Sequence, residues 1–187
     1  MAFIICTSLA FGQRAEIPKD AIQVRIKLDK TKFHVGEVIL FKVIISNVGT
    51  QPFLIPNQVS SGWPSSPSHS ELNFEVRNQS GKPVPGIGWA DDCFDYKPTK
   101  LAFETILNDY LLLRPGTSFV QQKSLAGLSN DLKPGTYHVK STYSASFSPL
   151  NCERWTAEDI EKFPFQAWYG TTAVNDISMT VFPNTKK

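Results

Sequence analysis

The longest unbroken alternation of apolar and polar side chains runs from Glu37 to Asn47, where Ile39, Phe41, Val43 and Ile45 take every second position. In extended backbone successive side chains point to opposite sides, so these four share one face of a β-strand. The opposite face mixes Val38, Leu40 and Ile44 with Lys42 and Ser46. Asn47-Val48-Gly49-Thr50 follows, and residues of this kind tolerate positive φ, which predicts a tight turn. Apolar sequence resumes from Gln51 to Ile55. The stretch from Phe33 to Pro56 therefore reads as two strands joined by that turn, with the remainder of the chain organised around them.

The same period recurs elsewhere. Ile22, Val24, Ile26 and Leu28 alternate with Gln23, Arg25, Lys27 and Asp29, a half-buried first strand. Leu72, Phe74 and Val76 form another, closed by the turn residues Asn78-Gln79-Ser80-Gly81. Tyr110 to Leu113, Arg114-Pro115-Gly116 and Phe119 to Leu125 read as a hairpin with Pro-Gly at its turn. Tyr137, Val139, Ser141 and Tyr143 share a face opposite His138, Lys140 and Thr142. Ile177, Met179 and Val181 supply a last strand that ends at Pro183.

Three stretches break the rhythm. The first, after Pro56, is polar and rich in Pro and Ser, with Trp63 as its one large side chain. The second, from Lys82 to Asp109, carries Pro83, Pro85 and Pro98 and is too long for an ordinary connection. The third, from Ser144 to Thr172, contains Thr156 followed by early acids before Pro164, which predicts a short helix over 156–162.

About seven short strands, with no helix long enough to cover a parallel sheet, predict an all-β fold of two facing antiparallel sheets. At 187 residues the chain can bury one good core, so a single domain is expected over 20–183. The formal net charge of +2 comes from scattered Lys and Arg, with no polybasic run to favour nucleic acid or an anionic membrane.

The first twelve residues, MAFIICTSLAFG, read as an export leader, with Ala10 and Gly12 as the small residues before a cut at Gln13. No Lys or Arg precedes the run, which argues against a leader unless the true start lies upstream, and the alternative is an ordinary first strand. Removal of the leader would leave a secreted or periplasmic chain with no other stretch able to cross a bilayer. It would also leave two cysteines, Cys93 and Cys152, whose even count and compartment point to one disulfide. Closing a loop of about 60 residues would stabilise the fold by roughly 4 kcal/mol on the chain-entropy view. The alternative is a pair of buried free thiols.

Phe33-x-x-Gly36-Glu37 leading into Phe41 to Asn47, Pro134-Gly135-x-Tyr137 opening a late strand, and Trp168-x-Gly170 before the last strand together resemble the immunoglobulin-like domains common in bacterial exported proteins. The resemblance spans most of residues 20 to 182. It implies a β-sandwich in which Tyr137 forms the tyrosine corner of the sixth strand, and it leaves the function open.

No catalytic or cofactor motif is present, and His34, His69 and His138 lack metal-ligand spacing. The acidic knot Asp91-Asp92-Cys93-Phe94-Asp95 lacks the alternation and turn glycine of a calcium loop, so a solvated loop is the simpler reading. The aromatic residues say more, because all four tryptophans, Trp63, Trp89, Trp155 and Trp168, lie outside the expected strands. In the immunoglobulin strand order the connections after the fourth and sixth strands leave from one end, and these are the segments that hold Cys93 and Cys152. A disulfide would staple them into an aromatic cap.

Two readings of that cap compete. Its rings can form a satellite core beneath long loops, or Trp89, Tyr96, Trp155, Trp168 and Tyr169 can stay exposed and bind a protein or a polysaccharide. The expectation is a monomeric, non-catalytic, exported binding or accessory module with no cofactor. The alternatives are a protease inhibitor or hydrolase using Asp91, Asp92 or Asp95, and a purely structural envelope domain.

Overall fold

The computed structural model describes residues 17–57, 59–60, 69–84, 110–124, 132–146 and 165–184. In chain order the strands are β1 (Ile22–Leu28), β2 (Lys32–His34), β3 (Leu40–Asn47), β4 (Phe53–Pro56), β5 (Val59–Ser60), β6 (His69–Asn78), β7 (Tyr110–Leu113), β8 (Ser118–Ser124), β9 (Gly135–Ser146), β10 (Gly170–Ala173) and β11 (Ile177–Phe182). The alternating run at 39–45 becomes the middle strand of one sheet, β1-β3-β8, with both neighbours antiparallel. The second sheet runs β2-β11-β9-β6-β5, and β10 continues the β11 edge of β9. Its two short outer pairings, β2 with β11 and β5 with β6, are parallel.

The two sheets pack face to face through the positions the alternation singles out. Val24, Ile26, Phe41, Val43 and Ile45 meet Leu72, Phe74, Val76, Val139, Tyr143, Met179 and Val181 in one buried cluster. Phe41 and Phe74 cross between the sheets edge to face, with ring centroids 5.6 Å apart, the arrangement favoured by the ring quadrupoles. The chain is an immunoglobulin-like β-sandwich.

Three short motifs are explained by their local bonds. At Phe33-x-x-Gly36-Glu37 the Glu37 amide donates to the His34 carbonyl, and Gly36 takes a φ of 76° in the turn. The Glu37 carboxylate accepts from the His34 amide at 2.9 Å and pairs with Lys30, which holds its pKa below the ordinary carboxylate value. At the late strand the Tyr137 hydroxyl donates to the Lys133 carbonyl at 2.8 Å, forming the tyrosine corner. Gly170 takes a φ of 145°, a conformation that favours glycine, beside the Trp168 ring.

The pairing of the strands departs from the expected hairpins. The segments β3 and β4 do not pair with each other, nor do β7 and β8; β3 pairs with β8, and β4 with β7. Both turns form, at 47–52 and at Arg114–Thr117, but each is a corner at which a chain passes from one sheet to another ribbon. Asn47, 1% exposed, pins this corner. Its Nδ2 donates to the carbonyls of Gln51 and Leu113, each at 2.9 Å, while its Oδ1 accepts from the Gly49 amide. Gly49 is needed for space and not for φ, since a Cβ there would stand 2.9 Å from the Cβ of Ala21.

Other bounds shift for similar reasons. The central strand begins at Leu40 and not at Glu37, because the Gly36 turn ends the preceding strand first. Val59–Ser60, expected to be loop, adds a short parallel strand. The third break in the rhythm is shorter than expected at both ends, since β9 extends to Ser146 and β10 starts at Gly170. The expected leader at 1–12, the helix at 156–162 and the pairing of Cys93 with Cys152 lie outside the described residues.

Candidate functional site

Tyr143, Trp168, Tyr169 and Tyr110 lie toward one end of the sandwich. In the larger sheet it is the end where His69 stands opposite Ser146 and Gly170 opposite Ala145. The chain leaves at Ser146 and returns through Phe165 to Gly170, so the connection containing Trp155 starts and finishes here. The connection containing Trp89 and Cys93 behaves differently. It departs past Val84, whose amide bonds the Val76 carbonyl near the opposite end of β6, and it arrives at Tyr110, opposite Pro56. The expectation that both connections leave from one end therefore fails for the start of the first, because β7 is an extra strand paired with β4.

The returning segment is fastened to the sandwich by its backbone. Leu54 donates to the Gln166 carbonyl and accepts from the Trp168 amide, both at 2.9 Å, so 166–168 lies along the side of β4 away from β7. This explains why all four residues of β4 are buried. Trp168, 1% exposed, stacks on Tyr143 with centroids 6.0 Å apart and planes tilted by 25°. The structure thus places Trp168 in the core, with no ring face left for a ligand. Its Nε1 is buried without a hydrogen-bond partner.

Beside it, burial pushes the Tyr143 phenol well above its ordinary range, and an interaction with the Ser70 side chain offsets only part of that rise. Tyr169 is half-buried and its hydroxyl interacts with that of Tyr110. Here too burial raises the pKa and the tyrosine partner lowers it less. The arriving end of one long connection and the returning end of the other meet at this pair. Trp89, Tyr96, Trp155, Cys93, Cys152, Asp91, Asp92 and Asp95 lie outside the described residues.

The histidines with described side chains serve the surface. His34 bonds the Pro183 carbonyl and lies against Phe182, while His138 bonds Ser178. Among the described residues no three His, Cys, Asp or Glu side chains come together.

No protein-family model matches the chain, and no curated protein matches it. Solved structures do resemble it in shape. The CARDB domain of a Pyrococcus furiosus protein, determined in complex with di-metal ions, is 11% identical over 86% of this chain and 87% of that one, with a TM-score of 0.36. The C-terminal domain of wzt is 12% identical over 88% of this chain and 75% of that one, with a TM-score of 0.40. A β-glucosidase of Erythrobacter marinus, 10% identical with a TM-score of 0.38, is matched over 86% of this chain but only 15% of its own. At such values the likenesses assign no activity or ligand, and the fold follows from the strand order itself.

The outer faces of the two sheets differ in a way the sequence does not disclose. On the larger sheet Glu75 stands across from Lys140 and pairs with Arg77 on its own strand. Hydroxyls pair on both faces, Ser144 with Thr171 and Ser46 with Ser118. On the β1-β3-β8 sheet Lys27 stands directly across from Lys42, Arg25 across from Ile44, and Ile44 across from Val120.

Proposed function

We propose that this chain is a non-catalytic, exported binding or accessory module that recognises a protein or a polysaccharide through the long connections at its aromatic end. The observation that carries the reading is the fastening of those connections where they rejoin the sandwich. The returning segment is bonded on both sides of Leu54, and Tyr169 interacts with Tyr110 at the arriving end of the other. Loops held on a rigid sheet scaffold can present side chains without a large ordering penalty, which is the usual basis of recognition by such folds.

Within this reading Trp168 is the anchor, and Trp89, Tyr96, Trp155 and Tyr169 are the binding candidates. The experiment is a titration of the full chain with a panel of soluble polysaccharides and secreted proteins, read by tryptophan fluorescence, alongside Trp89→Ala and Trp155→Ala. Affinity that falls at least about tenfold with an unchanged Tm supports exposed binding rings. Variants that lower Tm and leave affinity unaltered would show a satellite core and contradict the reading.

A further inference from the structure

The outward positions of the β1-β3-β8 sheet are Gln23, Arg25 and Lys27, then Leu40, Lys42, Ile44 and Ser46, then Ser118, Val120, Gln122 and Ser124. Within these paired strands the face has three cations and no carboxylate. Lys27 and Lys42 are directly opposed in register, a placement that brings Cβ atoms to about 5 Å and is destabilising for like charges. Arg25 lies diagonally across from Lys42. None of the three enters an ion pair among the described residues, where the ion pairs are Lys30 with Glu37 and Arg77 with Glu75. Asp29, just past the end of β1, pairs with none of them.

Aliphatic side chains are interspersed with the cations, with Leu40 and Ile44 on either side of Lys42 along β3. Val120 is 53% exposed, Leu40 is 36% exposed, and half-buried Ile44 lies directly across from Val120. Among the described residues no aromatic ring stands on this face to stack a sugar or a base. On the other sheet the corresponding cross-strand position sets Glu75 opposite Lys140, so opposite charges face each other there.

We propose that the outer face of β1-β3-β8 is a docking surface for an acidic protein segment that carries aliphatic side chains between its carboxylates. Its carboxylates neutralise Arg25, Lys27 and Lys42, and its apolar side chains cover Ile44, Leu40 and Val120. The opposed lysines are then a cost in the free domain that the partner removes, so the charge pattern favours the bound state and weakens with salt. This surface is separate from the aromatic end and does not depend on that end binding anything.

The test is an amide chemical-shift titration of the full chain with a synthetic peptide of alternating Glu and Val. The expected shifts are confined to β1, β3 and β8 and shrink as salt is raised. Lys42→Glu is expected to weaken binding at least about tenfold while raising Tm by about 2 °C, because an opposed like pair becomes an attractive one. Lys140→Glu on the other sheet should leave the peptide affinity unchanged and lower Tm.

Shifts on the larger sheet, or no binding, would overturn the proposal. So would a Lys42→Glu variant that folds and binds as well as the parent. A heparin fragment shifting the same amides as strongly would make the face a general polyanion site. Concentration-dependent self-association that covers the face would make its occupant a second copy. Either result would contradict the proposed protein segment.

Discussion

Asn47 shows how a single side chain can decide which strands pair. Its side-chain amide joins the first turn to β7 through Gln51, Leu113 and Gly49, the bond to Leu113 buried and the other two partly so. Asn47→Ala leaves two carbonyls and an amide without these partners, and is expected to cost about 2–4 kcal/mol in chemical denaturation. Asn47→Asp should be worse, because a buried carboxylate would face two carbonyl oxygens. Tyr137→Phe removes one bond to the Lys133 carbonyl, and the expected loss is about 1 kcal/mol by the same measurement. Trp168 offers a sharper contrast. Trp168→Ala opens a cavity and should cost about 3–5 kcal/mol, whereas Trp168→Phe forfeits no hydrogen bond, since Nε1 has no acceptor, and should cost about 1–2 kcal/mol.

Titration follows from the same residues. The folded-state phenols of Tyr143 and Tyr169 titrate above the ordinary value of 10.0, so the native protein holds protons that the unfolded chain gives up. Their contribution to stability is therefore complete below pH 10 and declines as pH rises beyond it. Phenolate absorbance followed with circular dichroism should show at least two tyrosines ionising only as the sheet signal is lost. Ionisation of all five tyrosines ahead of unfolding would contradict the burial of these two. Glu37 works in the opposite sense, since its folded pKa lies below the ordinary 4.5. Its contribution is present above pH 4.5 and is lost as pH falls through the depressed value.

At the scale of elements, the faces were legible and the partners were not. A period of two assigns Ile39, Phe41, Val43 and Ile45 to the interior without any knowledge of neighbours, and every one of them is buried. Turn chemistry likewise located the corners at Asn47 and Pro115-Gly116. It could not say whether the flanking strands fold back on each other, because the same turn residues serve a hairpin and a sheet-crossing corner. That choice rests on Leu113 reaching Asn47 across 66 residues of sequence. Register was hidden for the same reason, so the opposed Lys27 and Lys42 gave no signal in the linear pattern.

Trp168 illustrates a further limit. Its position outside any alternating run suggested a loop residue, and nothing in the linear pattern set its ring against Tyr143. Sheet edges follow a similar rule. Asn175 accepts from the Ile26 amide and donates to the Ile26 carbonyl, imitating a strand on the edge of β1 away from β3. Asn175→Ala should speed hydrogen exchange at Ile26 specifically, with little change at Val43 in the sheet centre.

For the whole molecule, the proposed function treats the sandwich as a support for the connections that rejoin it beside Trp168 and Tyr110. The 166–168 segment lies along β4, Trp168 fills the space against Tyr143, and Tyr169 reaches Tyr110. Recognition by mobile loops would need none of these contacts. Hydrogen exchange on the intact chain measures the difference directly, residue by residue. The amides of Leu54 and Trp168 are expected to exchange as slowly as those of Val43 and Val139 in the sheet centres, opening only with global unfolding. Exchange of Leu54 and Trp168 at the rate of an exposed turn such as Ser80, while the sheet centres stay protected, would contradict the fastening on which the proposed function stands.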